Sequence, residues 1–260
     1  MNKSSVIALS AGILLIILVQ LIETGSILML FQPIAFLIVI GGTICAAIVN
    51  FGDSVLLNAI KSAKSIFVKQ KDKTDIVIDD IIQIAYYARK NGIFALESLV
   101  EHIDDAFLRR GVKLCIDINN PQLINDILKN EITYEEEQEF ISSRVFEALG
   151  GYAPTFGIVG AVLGLIHVMS NMQSIEILCS GIATAFVATL YGVGFANLIF
   201  LPIAGHLKQK LREKVLLKEV ITQGLISIHM QENPEIIKAK LLAYLKYNNK
   251  TQIPELGSIY

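Results

Sequence analysis

The chain has 260 residues, 53% hydrophobic and 18% charged, with a formal net charge of −2. An ordinary soluble domain is about 25% charged, so this composition excludes one, and the slight negative charge excludes a nucleic-acid binder, which needs cations to displace counterions from phosphates. Cys45, Cys115 and Cys179 lie far apart without a C-x-x-C pair, so no disulfide framework, metal site or cofactor is expected.

The apolar residues are clumped in four runs, residues 6–22, 27–49, 152–172 and 175–201. Each is near the roughly 20 residues an α-helix needs to cross the hydrocarbon core. The pattern predicts an all-α, polytopic membrane protein with four transmembrane helices and a helical cytoplasmic domain. Residues 1–50 would hold the first two spans, 51–147 a cytoplasmic helical domain, 148–203 the third and fourth spans, and 204–260 cytoplasmic C-terminal helices.

The first run follows one cation, Lys3, and ends Gln20-Leu21-Ile22-Glu23-Thr24-Gly25, with no small-residue cleavage site. It reads as an uncleaved, somewhat short span. A tight turn over 23–26 leads to the second run, where Gln32-Pro33 marks the outer end. Proline is tolerated at a helix start, where its missing N–H would have no partner anyway. Gly41-Gly42-Thr43 in mid-run lets another helix approach. Of the 22 Lys and Arg, all but Lys3 fall within 51–147 and 204–260, and the connectors at 23–26 and 173–174 have none. The positive-inside rule therefore places both long segments and both termini in the cytoplasm.

Within 51–147, Thr74 or Asp75 can cap a helix carrying Ile78, Ile81, Ile82 and Ala85 on one face, and Asn91-Gly92 stops it. The spacing of Leu96, Leu99, Ile103 and Phe107 predicts a second helix over 95–110, ending at Gly111. Asn120-Pro121 opens a helix over 122–129. The acidic run 135–139 suits the start of a further helix, continuing through 140–149 toward the third span. Beyond Pro202 a basic stretch, Lys208, Lys210, Arg212 and Lys214, fits anchorage near anionic headgroups. Asn233-Pro234 opens a last helix over 235–247.

The third and fourth runs hold no Asp, Glu, Lys or Arg except Glu176 at the edge. Instead they carry Gly157, Gly160 and Gly164, then Gly181, Ala185, Ala188 and Gly192, all at helical spacing and suited to close packing. Thr184 and Thr189 are about 140° apart around the helix. A hydroxyl at Thr189, on the Ala185–Ala188–Gly192 stripe, can bond its own helix carbonyl or hydrate a pathway. His167 is an intramembrane ionisable group, which is a functional candidate; a neutral histidine bonded to a carbonyl or water is the plainer reading. Gly192-x-Gly194 lacks the strand and Lys-Ser/Thr of a phosphate loop. No nucleophile–base or paired-carboxylate set stands out, so no enzyme is expected. If ions cross here, a partner must supply the carboxylate.

Several stretches now read together. YAPTFGIVGAVLGL (152–165) resembles the third-span signature of the MotA/PomA family of flagellar stator proteins. ATAFVATLYG (183–192), running on to Asn197 and Pro202, resembles its fourth span. IVIGGT (38–43) is similar to its second span, and ENPEIIKAKLLAY (232–244) to its closing helix. The resemblance covers nearly the whole chain in order. It implies a homo-oligomer, usually a pentamer, in the bacterial inner membrane around a dimer of MotB/PomB-type single-span, peptidoglycan-binding subunits. An aspartate on that partner carries the ion, and ion passage drives the ring to push the rotor protein FliG.

RKNGIFALE (89–97) matches the family's torque motif, which implies rotor contact for Arg89, Lys90 and Glu97. Pro154 and Pro202 match prolines that couple ion passage to shape change. Thr189 matches a hydroxyl position on the ion path, and Thr184 and Tyr191 lie in the same matched stretch. The sodium-driven branch tends to carry Thr where Ala161 stands and Asp where Gln32 stands, so these departures favour protons. Two alternatives remain. One is an ExbB/TolQ-type energiser of outer-membrane transport, with three spans and the opposite N-terminal side. The other is a self-sufficient ion transporter using His167.

Overall fold

The structure, a computed structural model, describes residues 10–12, 14–15, 18–19, 21–22, 30–66, 74–170 and 175–250, with backbone alone at 65–66, 176–177 and 245–250. Every regular element among the described residues is helical, as the composition predicts. Three of these helices are long and apolar enough to cross a membrane: Pro33–Phe51, Pro121–Ser170 and Leu178–His229. The described residues of the first apolar run are helical; its remainder and both predicted connectors lie outside the described residues. The chain divides into two compact units, Met1–Lys69 with Gln138–Leu211, and Gln70–Glu137 with Arg212–Tyr260.

In the first unit, α1 (Pro33–Phe51) begins at Pro33 after an extended Gln32. Its turn Leu37–Gly41 is a π-helix, and the buried Thr43 hydroxyl donates to the Val39 carbonyl within it at 2.6 Å. The helix ends at Gly52, whose φ of 82° favours glycine. Then α2 (Asp53–Ile66) packs Leu56, Ala59 and Ala63 against Ala47, Val145, Phe146, Leu149, Ala204 and Leu207. The small alanines in that layer allow helix axes to come close.

In the second unit, α3 (Thr74–Asn91) buries Val77, Ile78, Ile81, Ile84, Ala85 and Ala88. Gly92, at φ 87°, stops it as expected. The predicted single helix over 95–110 does not form. A 3-10 turn (Ile93–Leu96) and a one-turn helix (Glu97–Val100) precede a bend, and α3 is followed by α4 (Ala106–Asp117). The break has a local cause. Asp105 takes extended backbone angles, and its carboxylate accepts from the N–H groups of Phe107 at 3.0 Å and Leu108 at 2.9 Å. Such an N-cap is worth about 1 kcal/mol. Leu96, Ile103 and Phe107 are buried all the same, which is why their spacing mimics one continuous helix. Gly111, expected to end that helix, is buried inside α4, where a β-carbon would stand 2.1 Å from the Leu225 Cδ1.

The helix opened by Asn120-Pro121 also differs from expectation. The Asn120 side chain caps it, accepting from the Gln122 N–H at 2.9 Å. However, α5 (Pro121–Ser170) runs unbroken for 50 residues. The acidic run 135–139 is therefore mid-helix rather than a helix start. No Gly or Pro interrupts 130–134, Ile132 is buried there, and Glu131 just before the run and Glu135 at its start are held by cations of neighbouring helices. Glu131 pairs with Arg110 at 2.8 Å, and Glu135 with Lys218 at 2.5 Å and Lys214 at 3.5 Å.

The next helix, α6 (Ile175–Phe195), passes through a π turn (Ala196–Phe200) into α7 (Leu201–His229). Its later part gives Val220, Ile221, Leu225 and Ile228 to the second unit's core, joined by Ile237 and Leu241 of α8 (Pro234–Lys250). Asn233 caps α8 as predicted, accepting from the Glu235 N–H at 3.1 Å. Each fully buried Ile or Leu contributes roughly 1.5–3 kcal/mol. Cys115 sits in this core with its Sγ 3.8 Å from the Leu225 carbonyl, and burial pushes its thiol pKa up to about 12.

Candidate functional site

The glycines of α5 and α6 meet. A β-carbon on Gly157 would stand 3.0 Å from the Ala188 carbonyl oxygen and 3.4 Å from the Thr189 Cα. One on Gly164 would stand 2.9 Å from the Gly181 oxygen, and one on Gly192 would stand 2.6 Å from the Ala153 oxygen. The two backbones are thus in contact along the whole stripe. In lipid no hydrophobic force draws helices together, so close van der Waals approach of small residues supplies the attraction. The second apolar run joins the seam: Ala35 and Val39 of α1 pack on Val187 and Ala188, and Ile38 lies beside Gly160. Gly42 of the mid-run glycines abuts the Phe156 ring rather than another backbone.

The residues expected on an ion path divide around this seam. Pro154 is half-buried inside α5, its Cα 3.1 Å from where a Gly192 β-carbon would sit. Thr189 is exposed at the seam, and Ala161 is half-buried on α5. Both threonine hydroxyls take the intrahelical alternative: Thr184 donates to the Ser180 carbonyl at 2.9 Å and Thr189 to the Ala185 carbonyl at 3.3 Å. His167 is exposed in the last turn of α5. Pro202 is the second residue of α7, directly after the π turn. Proline brings no N–H to the carbonyl four residues back, and the ladder widens into a π turn at that point.

Tyr191 reaches toward α1. Its hydroxyl donates to the Leu30 carbonyl and accepts from the Gln32 N–H at 3.4 Å. Gln32 has no side-chain cap of its own, so the tyrosine satisfies backbone groups at the helix start. The Tyr191 ring meets Phe36 edge-on at 6.2 Å and Phe195 at 6.1 Å, and Phe195 stacks on Phe200 at 6.3 Å. This aromatic cluster and the two π turns beside it escaped the sequence reading. The only signal was a set of aromatic residues in two different apolar runs, which no periodicity links.

The charged turn belongs to the second unit. Arg89 and Lys90 are exposed in the last turn of α3, where cations suit the helix dipole. Glu97 is exposed at the start of its one-turn helix, where an anion suits it. Asp79 and Asp80 lie earlier on the same helix, and Asp104 and Asp105 follow the turn in sequence. Burial, helped by Asp104, Asp79 and Asp105, raises the Asp80 carboxyl above its usual value. Tyr86 donates to Glu235 at 2.6 Å, tying α3 to α8. Among the described residues no group of His, Cys, Asp or Glu is arranged to hold a metal ion.

An all-helical fold whose apolar helices mesh through a glycine seam is that of a membrane protein, and comparison with known proteins sharpens this. Residues 99–220 match the model of the MotA/TolQ/ExbB proton channel family. Motility protein A of Bacillus subtilis is 33% identical over 262 residues, covering 99% of this chain and 96% of that protein. The chemotaxis protein PomA of Vibrio alginolyticus is 30% identical, covering 94% and 96%. The solved MotAB structure of C. jejuni superposes with a TM-score of 0.87 at 26% identity, covering 100% of both chains. The flagellar MotAB stator complex of Bacillus subtilis does so with a TM-score of 0.78 at 33% identity, covering 93% and 97%. The chain belongs to the MotA/TolQ/ExbB proton channel family, a family of channels and not of enzymes.

Proposed function

We propose that the chain is the ring-forming stator subunit of a bacterial flagellar motor, working with a MotB/PomB-type partner to pass protons and drive the rotor protein FliG. The observation that carries this reading is the seam itself. It is built of small residues, exposes Thr189, and contains no carboxylate, so a helix from another subunit must bring the acid. Full-length likeness to motility protein A and to MotAB complexes supports the same reading. In this arrangement the chain has four spans in the inner membrane and both termini in the cytoplasm. Residues 51–147 and 204–260 form the cytoplasmic part, and five copies make the ring. Arg89, Lys90 and Glu97 meet the rotor. Pro154, Ala161, Thr184, Thr189, Tyr191 and Pro202 form the mobile wall of the ion path.

The test is proton uptake by vesicles holding the chain alone or with its partner, alongside swimming of a Glu97→Lys strain. The expected result is flux only with the partner, and a motility defect at normal membrane levels. Flux from the chain alone would return the function to His167 and a self-sufficient transporter.

A further inference from the structure

Phe94 is 79% exposed, more than any other large apolar side chain described in its unit. The turn that carries it is not loosely held. Gly92 at φ 87° fixes the chain reversal after α3, and Leu96, two residues beyond Phe94, is fully buried in the core. In a 3-10 turn, residues i and i+3 eclipse. Ile93 and Leu96 therefore share the inner side, while Phe94 and Glu97 share the outer one. Arg89 and Lys90 end α3 just before the same turn. A single exposed apolar residue is ordinary. A ring held outward between a cationic pair and a carboxylate is the layout of a binding hot spot, an aromatic anchor inside a polar rim.

The charges also narrow the occupant. Residues 89–105 carry Arg89 and Lys90 against Glu97, Glu101, Asp104 and Asp105. That excess of carboxylates is wrong for an anionic membrane surface, which attracts basic segments. Charges of both signs beside the ring fit a protein surface with the opposite pattern.

We infer that Phe94 is the apolar anchor of this turn, inserting into an apolar notch on a soluble rotor protein while Arg89, Lys90 and Glu97 orient the pairing from the rim. The inference rests on the reading of this turn as the rotor contact. Burying the ring supplies affinity, and the charges supply register and salt dependence.

The experiment uses the whole stator complex in detergent and purified FliG from the same cell, with affinity measured at low and high salt. Phe94→Ala should weaken binding at least tenfold at both salt concentrations, while Phe94→Leu stays within about threefold of the parent. Arg89→Ala should instead lose most of its effect at high salt. Membrane levels of each variant confirm folding, which an exposed position should leave intact. If Phe94→Ala binds FliG like the parent while Glu97→Lys does not, the anchor is wrong and the rotor contact stands. If neither variant changes binding, the reading of the turn falls as well. If Phe94→Ala instead changes the number of copies in the purified ring, the ring packs on a second copy and the inference is overturned.

Discussion

Gly192 lies so close to Ala153 that a β-carbon on the glycine would stand 2.6 Å from the alanine's carbonyl oxygen. The obstacle is backbone, so no rotamer change relieves it. Gly192→Ala should force α5 and α6 apart, costing about 1–3 kcal/mol of packing and lowering both the membrane level and the thermal midpoint of the purified complex. Gly194, with nothing within 4 Å of its β-position, is the control: Gly194→Ala should behave like the parent. Equal behaviour of the two variants would mean that the seam is loose.

Tyr191→Phe separates the tyrosine's two roles. The ring contacts with Phe36 and Phe195 survive, but the Leu30 carbonyl and Gln32 N–H lose their partner. Leaving such groups unpaired costs roughly 1–3 kcal/mol, so the start of α1 should loosen. A cysteine placed at Gln32 should then react several-fold faster with a soluble maleimide in the Tyr191→Phe background. An unchanged rate would show that the hydroxyl does not hold this segment.

Pro154 interrupts the hydrogen-bond ladder of α5 without ending the helix. Pro154→Ala restores an N–H for the carbonyl of Gly150 and stiffens the turn beside Gly192. The chain should accumulate and assemble normally while motor torque falls. Failure of assembly itself would assign the proline a purely structural role.

The Glu135–Lys218 pair predicts an acid limb of stability. The Lys218 hydrogen bond, with Lys214 nearby, holds the Glu135 carboxyl below its usual value, against a smaller opposing effect of burial. A lowered carboxylate pKa stabilises the fold above the unfolded value of about 4.3, and the contribution is lost as pH falls through the folded-state value. Lys218 also lies 4.7 Å over the Phe107 ring, and only 12% of its side chain is exposed. Glu135→Gln should therefore lower the thermal midpoint at pH 7, and the difference from the parent should vanish in strong acid. A gap that persists below pH 3 would point to packing and not charge.

Much of this was legible in the sequence because it is local. Gly92, the Asn120 and Asn233 caps, and the small residues of the seam each announce themselves by residue type at a fixed spacing. The errors came where local signals compete. Leu96, Leu99, Ile103 and Phe107 fit one helical face, yet Asp105 captures two N–H groups and starts a new helix. Gly111 looked like a stop, but Leu225, more than a hundred residues later, fills the space its missing side chain leaves. Glu135–Glu139 looked like a helix start because acids favour that end, and Lys218, the partner of Glu135, comes from a distant helix. In the candidate site, the meeting of Gly157 with Gly192 was foreseeable from spacing. The bridge from Tyr191 to Leu30 depends on two apolar runs finding one another, which no single stretch of sequence records.

Cys115 gives the second unit an internal clock. Its sulfur is reached by solvent only when the helices around Leu225 part, and as a thiol of pKa about 12 it is unreactive while they stay closed. The rate at which a soluble thiol reagent finds it thus measures how often that core opens. Cys45 and Cys179 are exposed and would meet the reagent first, so with those two replaced by serine the one native thiol left reports the breathing of its own core.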